Sequence, residues 1–177
     1  MKKIVPFILL FAGLSVRAFP QAGDMTVGLK SGWSTGYDNP LYGFDAAYNL
    51  TGSLEIAFTG VMNPNVSYKD KLAVSADRIS KLSVYSGNLD ARLYLLSTRA
   101  WGFGPALGGQ YLSVKSKTNE NKNINAFGFN IGIHGKISLT DNLLINGGWR
   151  YTNAKAEYPE ARYHFIYLGV AFTFQTR

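Results

Sequence analysis

Eight ionisable side chains share one polar, alternating set of positions along this chain, and they are its first candidates for chemistry. They are Lys30, Asp45, Glu55, Asp90, Arg92, His134, Lys136 and Arg150. Three are acids, four are lysines or arginines and one is a histidine, so the charges nearly balance. If they share an interior they must pair, because an isolated charge in a low-dielectric interior is very costly. We interpret them as a structural network of ion pairs; the alternative is a gated proton or ion path through the same residues.

The two histidines could act as general bases if a nucleophile lay within hydrogen-bond reach. A serine two positions after a histidine would lie on the same face of the strand. At that position Lys136 follows His134 and Ile166 follows His164. We therefore expect structural or interior polar roles for His134 and His164, and we predict no catalytic residue. The chain has no Cys, which excludes a disulfide scaffold, a Cys-ligated metal site and a lipid-modified cysteine. No cofactor or metal is predicted.

A second group of candidates is basic and lies between the alternating segments. These residues are Lys69, Lys71, Lys115, Lys117 and Lys122. Lysine ammonium groups bind phosphate well, so these residues could contact a phosphorylated surface. The alternative is a set of solvated loops that happen to be basic.

Alternation of apolar and polar residues with a period of two predicts the strands that position these groups. In one stretch Phe127, Phe129 and Ile131 alternate with Gly128 and Asn130. Eight such segments follow one another, at 25–36, 42–50, 54–62, 82–95, 101–113, 126–139, 143–152 and 163–174.

The connections alternate between short and long. Short ones, rich in turn residues, fall at 51–53, 97–100 and 140–142, and longer polar ones at 37–41, 63–81, 114–125 and 153–162. This rhythm places all the long loops at one end of an up-and-down barrel. We predict an all-β fold, an eight-stranded antiparallel up-and-down barrel.

Three features favour a membrane barrel, in which the apolar side chains contact lipid, rather than a soluble barrel, in which they point into the interior. The polar set is rich in Gly, Ala, Ser and Asn with isolated charges, whereas a soluble β-surface carries dense Lys, Glu and Thr. Aromatic residues such as Trp33, Tyr85, Trp101 and Trp149 lie towards segment ends, as in two interfacial girdles. Each segment supplies about the 9–11 residues of a tilted transmembrane strand. We therefore predict a transmembrane β-barrel.

The N-terminus is predicted to be an export signal. Lys2 and Lys3 precede an apolar run, and Val16-Arg17-Ala18 has small residues where a signal peptidase reads. We predict removal of residues 1–18, with cleavage after Ala22 as the alternative, and a single barrel domain over 19–177. Removal takes away three basic residues, so the balance falls from 18 basic and 11 acidic residues to 15 and 11, a net charge of +4. This mild charge does not favour nucleic acid.

The C-terminal strand has Tyr167, Gly169, Phe172 and Phe174 in a pattern that resembles the terminal β-signal of bacterial outer-membrane proteins. Together with the eight segments and short turns, it makes the mature chain resemble the small OmpA/OmpX-like outer-membrane β-barrel family. The resemblance implies the Gram-negative outer membrane as the location. It implies outer-membrane lipids and lipopolysaccharide as partners, and barrel-assembly machinery and periplasmic chaperones during biogenesis.

For function, we favour a non-enzymatic barrel with a structural, surface-interaction or accessory-subunit role, the last with other outer-membrane proteins as partners. The alternative is a narrow channel for small or hydrophobic molecules, as OmpW-like barrels are thought to be. It needs an open lumen or a side gap, and Pro105, which cannot donate to a strand ladder, is its sequence hint. A lipid-modifying barrel enzyme is a third hypothesis, without a recognisable catalytic group.

Overall fold

The computed structural model of the protein describes residues 20–69, 79–98, 100–116, 123–154 and 162–175. Among these residues every regular element is a β-strand. The strands are β1 Met25–Ser34, β2 Asn39–Asn49, β3 Leu54–Lys69, β4 Ile79–Leu93, β5 Leu96–Ser97, β6 Trp101–Ser116, β7 Asn123–Ser138, β8 Leu143–Ala154 and β9 Arg162–Phe174. Within these ranges, no helix has the length and apolar character needed to cross a membrane.

The eight long strands form one closed antiparallel sheet. Consecutive long strands pair with each other, from β1 with β2 through to β8 with β9, and β1 pairs with β9 to close the circle. The two-residue β5 pairs with the start of β6 beside the turn that follows β4. The predicted all-β, eight-stranded up-and-down barrel is confirmed, and closure leaves no long sheet edge without a partner.

The ladder between β4 and β6 contains a bulge at the position of Pro105. Its last pair is Arg92 with Ala106, and pairing resumes at Leu96 with Phe103, so residues 93–95 lie opposite residues 104–105. One extra residue on one strand is the definition of a β-bulge. On its other side Pro105 stays in register with Ile133. The proline therefore marks a local irregularity in a continuous wall.

The predicted loop boundaries were wrong at the end of the barrel that carries the long connections. β3 continues to Lys69, β4 begins at Ile79, β6 continues to Ser116 and β7 begins at Asn123. The predicted strands were ended where runs of polar residues begin. Polar side chains do not prevent backbone hydrogen bonds between the strands of a hairpin, so each strand continues as long as its neighbour pairs with it.

The connection predicted at 37–41 is a tight turn over residues 35–38, because β2 begins at Asn39. Asp38 occupies the left-handed region at φ 49°, which Asp and Asn tolerate better than other non-glycine residues. Tyr37 and Leu41 turn inward and are 1% and 0% exposed. A cluster of Gly, Asp, Asn and Pro thus signalled a turn correctly but overstated its length.

The two faces of the wall have opposite character. Leu29 is 73% exposed on the outside, while the adjacent Lys30 is 4% exposed on the inside. β9 alternates in the same way along its whole length. The apolar set faces outward and the polar set inward, as a barrel in lipid requires.

Candidate functional site

The barrel interior brings together all eight side chains that the sequence singled out. Asp45, on β2, lies at the centre of the first group. Lys30 Nζ on β1 donates to Asp45 Oδ1 at 2.8 Å. Arg92 on β4 binds the same carboxylate with both terminal nitrogens, Nη2 to Oδ1 at 2.7 Å and Nη1 to Oδ2 at 2.8 Å. The Thr59 hydroxyl donates to Oδ1 at 2.6 Å.

Glu55 on β3 is the second acid and bridges two bases. It accepts from Arg92 Nη1 at 2.9 Å through Oε1, and from Lys136 Nζ at 2.7 Å through Oε2. The Tyr94 hydroxyl also donates to Oε1, at 3.2 Å. Lys136 Nζ lies 4.3 Å from the centre of the Tyr94 ring, a cation–π distance. Tyr94 was not singled out from the sequence, although it falls on the polar set of its segment.

Asp90 on β4 completes the network. It forms an ion pair with Arg150 of β8, and its Oδ2 lies 3.9 Å from Arg92 Nη2. Arg92 therefore lies within ion-pair distance of all three acids. These charged side chains are at most 4% exposed, so their pairing compensates charges that have left water.

His134 lies at the edge of the network with a tyrosine as its partner. Its Nδ1 is 3.0 Å from the Tyr167 hydroxyl, and the two rings stack with centroids 6.2 Å apart. Lys30 Nζ lies 4.6 Å from the centre of the same Tyr167 ring. A tyrosine hydroxyl is a suitable hydrogen-bond partner for a buried imidazole, and it is the partner that His134 has among the described residues. The other histidine, His164, is exposed on the outer face and packs beside Trp149.

Towards the loop end, the interior changes from charged to apolar. Leu41, Val66 and Leu112 are each 0% exposed there. The Tyr37 and Tyr163 rings pack at 5.3 Å between centroids. This apolar layer, defined by those five residues, fills the barrel above the ion pairs. The sequence analysis missed it, since valine and leucine at inward positions near the loops break the expected polar set.

The C-terminal pattern divides between the two faces. Tyr167 and Gly169 point into the barrel, whereas Phe172 and Phe174 are exposed outside. Glycine is favoured at position 169 because a Cβ there would lie 2.6 Å from the backbone carbonyl oxygen of Leu29 and 3.0 Å from the Cβ of Lys30, both on β1. Gly169 therefore has a structural reason in the finished barrel, independent of any role in assembly.

Of the loop lysines, Lys115 is exposed near the end of β6. Lys69 is the last residue of β3, and its side chain lies outside the described part of the structure. Lys71, Lys117 and Lys122 lie outside the described residues altogether, as do residues 1–18 of the predicted signal peptide. The absence of cofactor and metal sites stays a prediction.

A closed antiparallel barrel with an apolar outside and paired charges inside is the architecture of an outer-membrane β-barrel protein. A family model agrees over nearly the whole chain. The protein belongs to the family described as the outer membrane protein beta-barrel domain, which matches residues 7–174. No curated protein sequence matches the chain.

Solved outer-membrane barrels share the fold at low sequence identity. The N-terminal β-barrel domain of Pseudomonas aeruginosa OprF is 17% identical, with 87% of this chain and 98% of that chain covered and a TM-score of 0.65. Pseudomonas aeruginosa OprG is 14% identical, with 88% and 98% covered and a TM-score of 0.62. Yersinia pestis Ail, in complex with the heparin analogue sucrose octasulfate, is 11% identical, with 85% and 97% covered and a TM-score of 0.57. The protein is an outer-membrane barrel of a Gram-negative bacterium.

Proposed function

We propose that the protein is a non-catalytic barrel with a closed lumen, which serves the Gram-negative envelope as a structural and surface-interaction protein. The observation that carries the proposal is the filling of the interior. Eight strands leave room for packed side chains and little else. Here the ion pairs around Arg92 occupy the part nearer the short turns, and the apolar layer occupies the part nearer the loops.

Conductance in planar lipid bilayers tests this proposal. The refolded mature chain should give no sustained current steps in salt solution. Arg92→Gln should lower the stability of the barrel and still give none, because neighbouring side chains of the network and the apolar layer remain. Well-defined current steps in the wild type, altered in amplitude or gating by Arg92→Gln, would instead support a proton or ion path through the network.

A narrow conduit for small hydrophobic molecules is the second candidate, and the apolar layer is the observation that favours it. An apolar molecule entering from the loop end would meet the apolar layer, which includes Leu41, Val66 and Leu112, before it reached the ion pairs. Uptake of a radiolabelled alkane into cells that produce the wild type or a Leu112→Lys variant separates the two. The conduit requires faster uptake with the wild type than with the variant, whereas a closed barrel gives equal, background rates.

We also propose that Tyr167, Gly169, Phe172 and Phe174 form the signal by which barrel-assembly machinery receives the chain from periplasmic chaperones. The support is the exposure of both phenylalanines on the final strand, where another protein could bind them before the barrel closes. Phe172→Ser with Phe174→Ser should reduce the amount of folded barrel in the membrane. Refolding of the purified variant in detergent should be affected much less, and an equal loss in both settings would contradict a signal role.

A further inference from the structure

Three short turns, at the end of the barrel opposite the long connections, share one hydrogen-bonding pattern built around a threonine. The threonines are Thr51, Thr98 and Thr140, and each Oγ1 accepts from the backbone N–H groups two and three residues later, at 3.0–3.3 Å. A threonine hydroxyl that binds backbone groups a few residues later stabilises a tight turn. The position two residues after the threonine is therefore equivalent in the three turns, and it is occupied by Ser53, Ala100 and Asn142.

The carbonyl group at this equivalent position extends the pairing with a neighbouring strand by one residue. The three carbonyls accept, each at 2.7 Å, from the backbone N–H groups of Tyr94, Ser138 and Thr173, in that order. A hydrogen-bonded pair in an antiparallel sheet normally exchanges two bonds, one in each direction. At the equivalent position, the backbone N–H that would return the second bond donates to the threonine hydroxyl instead.

Asn142 returns the second bond with its side chain. Its Nδ2 donates to the carbonyl oxygen of Thr173 at 3.0 Å, so both backbone polar groups of Thr173 are bonded to Asn142. Of the three residues at the equivalent position, Asn142 is the one with a side-chain amide. Thr173 is 3% exposed, so water does not readily replace a bond lost from its backbone.

The strand held in this way is β9, which carries the terminal pattern. Thr173 lies between Phe172 and Phe174, and its bonds to Asn142 are made on the side of β9 that faces β8. Along a β-strand, the backbone groups of successive residues point to opposite edges. Those of Phe172 and Phe174 therefore point to the other edge, where β1 pairs with them to close the barrel. The hydroxyls of Thr173 and Thr26 meet across this seam at 3.5 Å.

We propose that Asn142 is a positioning residue for the terminal strand. It holds the end of β9 in register on the β7–β8 hairpin, so that Phe172 and Phe174 present their backbone groups to the edge that closes against β1. Before closure the same edge is open to another protein, so the consequence in cells rests on the proposed signal function. The effect on the seam between β9 and β1 does not rest on it, because that effect follows from hydrogen bonds of the finished barrel.

Amide hydrogen exchange of the refolded mature protein in detergent micelles, resolved by mass spectrometry, tests the local effect. The forms compared are the wild type, Asn142→Ala, Asn142→Asp, which keeps the shape of the side chain without its donor, and Ser53→Ala, the matched control in the first turn. We expect exchange in peptides that contain residues 172–174 or the start of β1 to be about fivefold faster in both Asn142 variants. That factor corresponds to about 1 kcal/mol for one net hydrogen bond.

Two further comparisons separate positioning from a general loss of stability. Ser53→Ala should leave exchange at the end of β4 unchanged, and no variant should change exchange in the middle of β3. Asn142→Gln keeps an amide donor on a longer side chain and should restore part of the protection. A turn that needed only the backbone conformation of asparagine would gain nothing from glutamine.

The consequence in cells is measured as the appearance of folded, heat-modifiable barrel in outer membranes after induction. Asn142→Ala should slow it, whereas Ser53→Ala should not. Equal exchange in all forms would overturn the proposal, and so would faster exchange spread over every strand. Faster exchange at the seam with normal appearance of folded barrel would overturn the link to assembly, while the comparison of Phe172→Ser with Phe174→Ser tests the signal function by itself.

Discussion

Asp45 is the residue on which the stability of the barrel interior should depend most clearly. The change Asp45→Asn keeps the shape of the side chain and removes its charge. Asp45 accepts one hydrogen bond from Lys30, two from Arg92 and one from Thr59, at 2.6–2.8 Å. Arg92 retains Glu55 after the change, but Lys30 loses the carboxylate with which the structure pairs it.

The expected cost follows from that difference. Breaking a buried pair by removing one partner costs about 3–5 kcal/mol, because it leaves an uncompensated charge. Lys30 is 4% exposed, so little of its charge reaches water. We expect Asp45→Asn to lower the free energy of unfolding by about 3–5 kcal/mol. Adding Lys30→Met should recover part of this loss, with a coupling of about 1–3 kcal/mol between the two sites.

Urea unfolding of the refolded protein in phospholipid vesicles, followed by tryptophan fluorescence and gel migration, measures these changes. Asp38→Asn is the matched control, since Asp38 is exposed in the β1–β2 turn and Asn tolerates its left-handed conformation. It should stay within about 0.5 kcal/mol of the wild type. A loss below about 1 kcal/mol for Asp45→Asn, or strict additivity with Lys30→Met, would refute the ion-pair network as a source of stability.

Three further substitutions probe other parts of the interior by the same unfolding assay, and a fourth, Gly109→Ala on the outer face, serves as a control. His134→Leu should cost about 1–3 kcal/mol by removing the partner of the Tyr167 hydroxyl, and a gain in stability would contradict it. Gly104→Ala should destabilise the barrel because its methyl group meets a backbone carbonyl of β4, whereas Gly109→Ala, with nothing within 4 Å, should be neutral. Leu112→Ala should cost about 2–5 kcal/mol through a cavity in the apolar layer, and no loss would mean the layer is loosely packed.

The strands and the facing of their side chains could be predicted from sequence because alternation is a local property. Phe127 and Phe129 point out, and Asn130 points in, whatever the rest of the chain does. The turn at Tyr37 was predicted too long, because polar and glycine residues mark a reversal without fixing where pairing resumes. Strand ends depend on the partner strand, and no single segment contains that information.

The ion-pair partners could not be predicted, although the participating residues could. Lys136 pairs with Glu55 across 81 positions of sequence and across the barrel. Which side chains meet depends on the stagger of all eight strands, which is a property of the closed sheet. The pairing of Gly60 with Gly87 on the outer face was out of reach for the same reason, since the two glycines meet through the register of β3 with β4.

Spin labelling of the outer wall tests most directly whether the apolar face meets lipid around a filled interior. The chain has no natural cysteine, so single labels can be placed at Leu89→Cys and Leu107→Cys, two positions that are each 60% exposed on the outside. In phospholipid vesicles both labels should be relaxed by oxygen, which dissolves in the bilayer, and protected from a water-soluble nickel chelate. Protection from both reagents, or relaxation by nickel, would place these side chains in a protein core or in water and contradict the orientation described for the barrel.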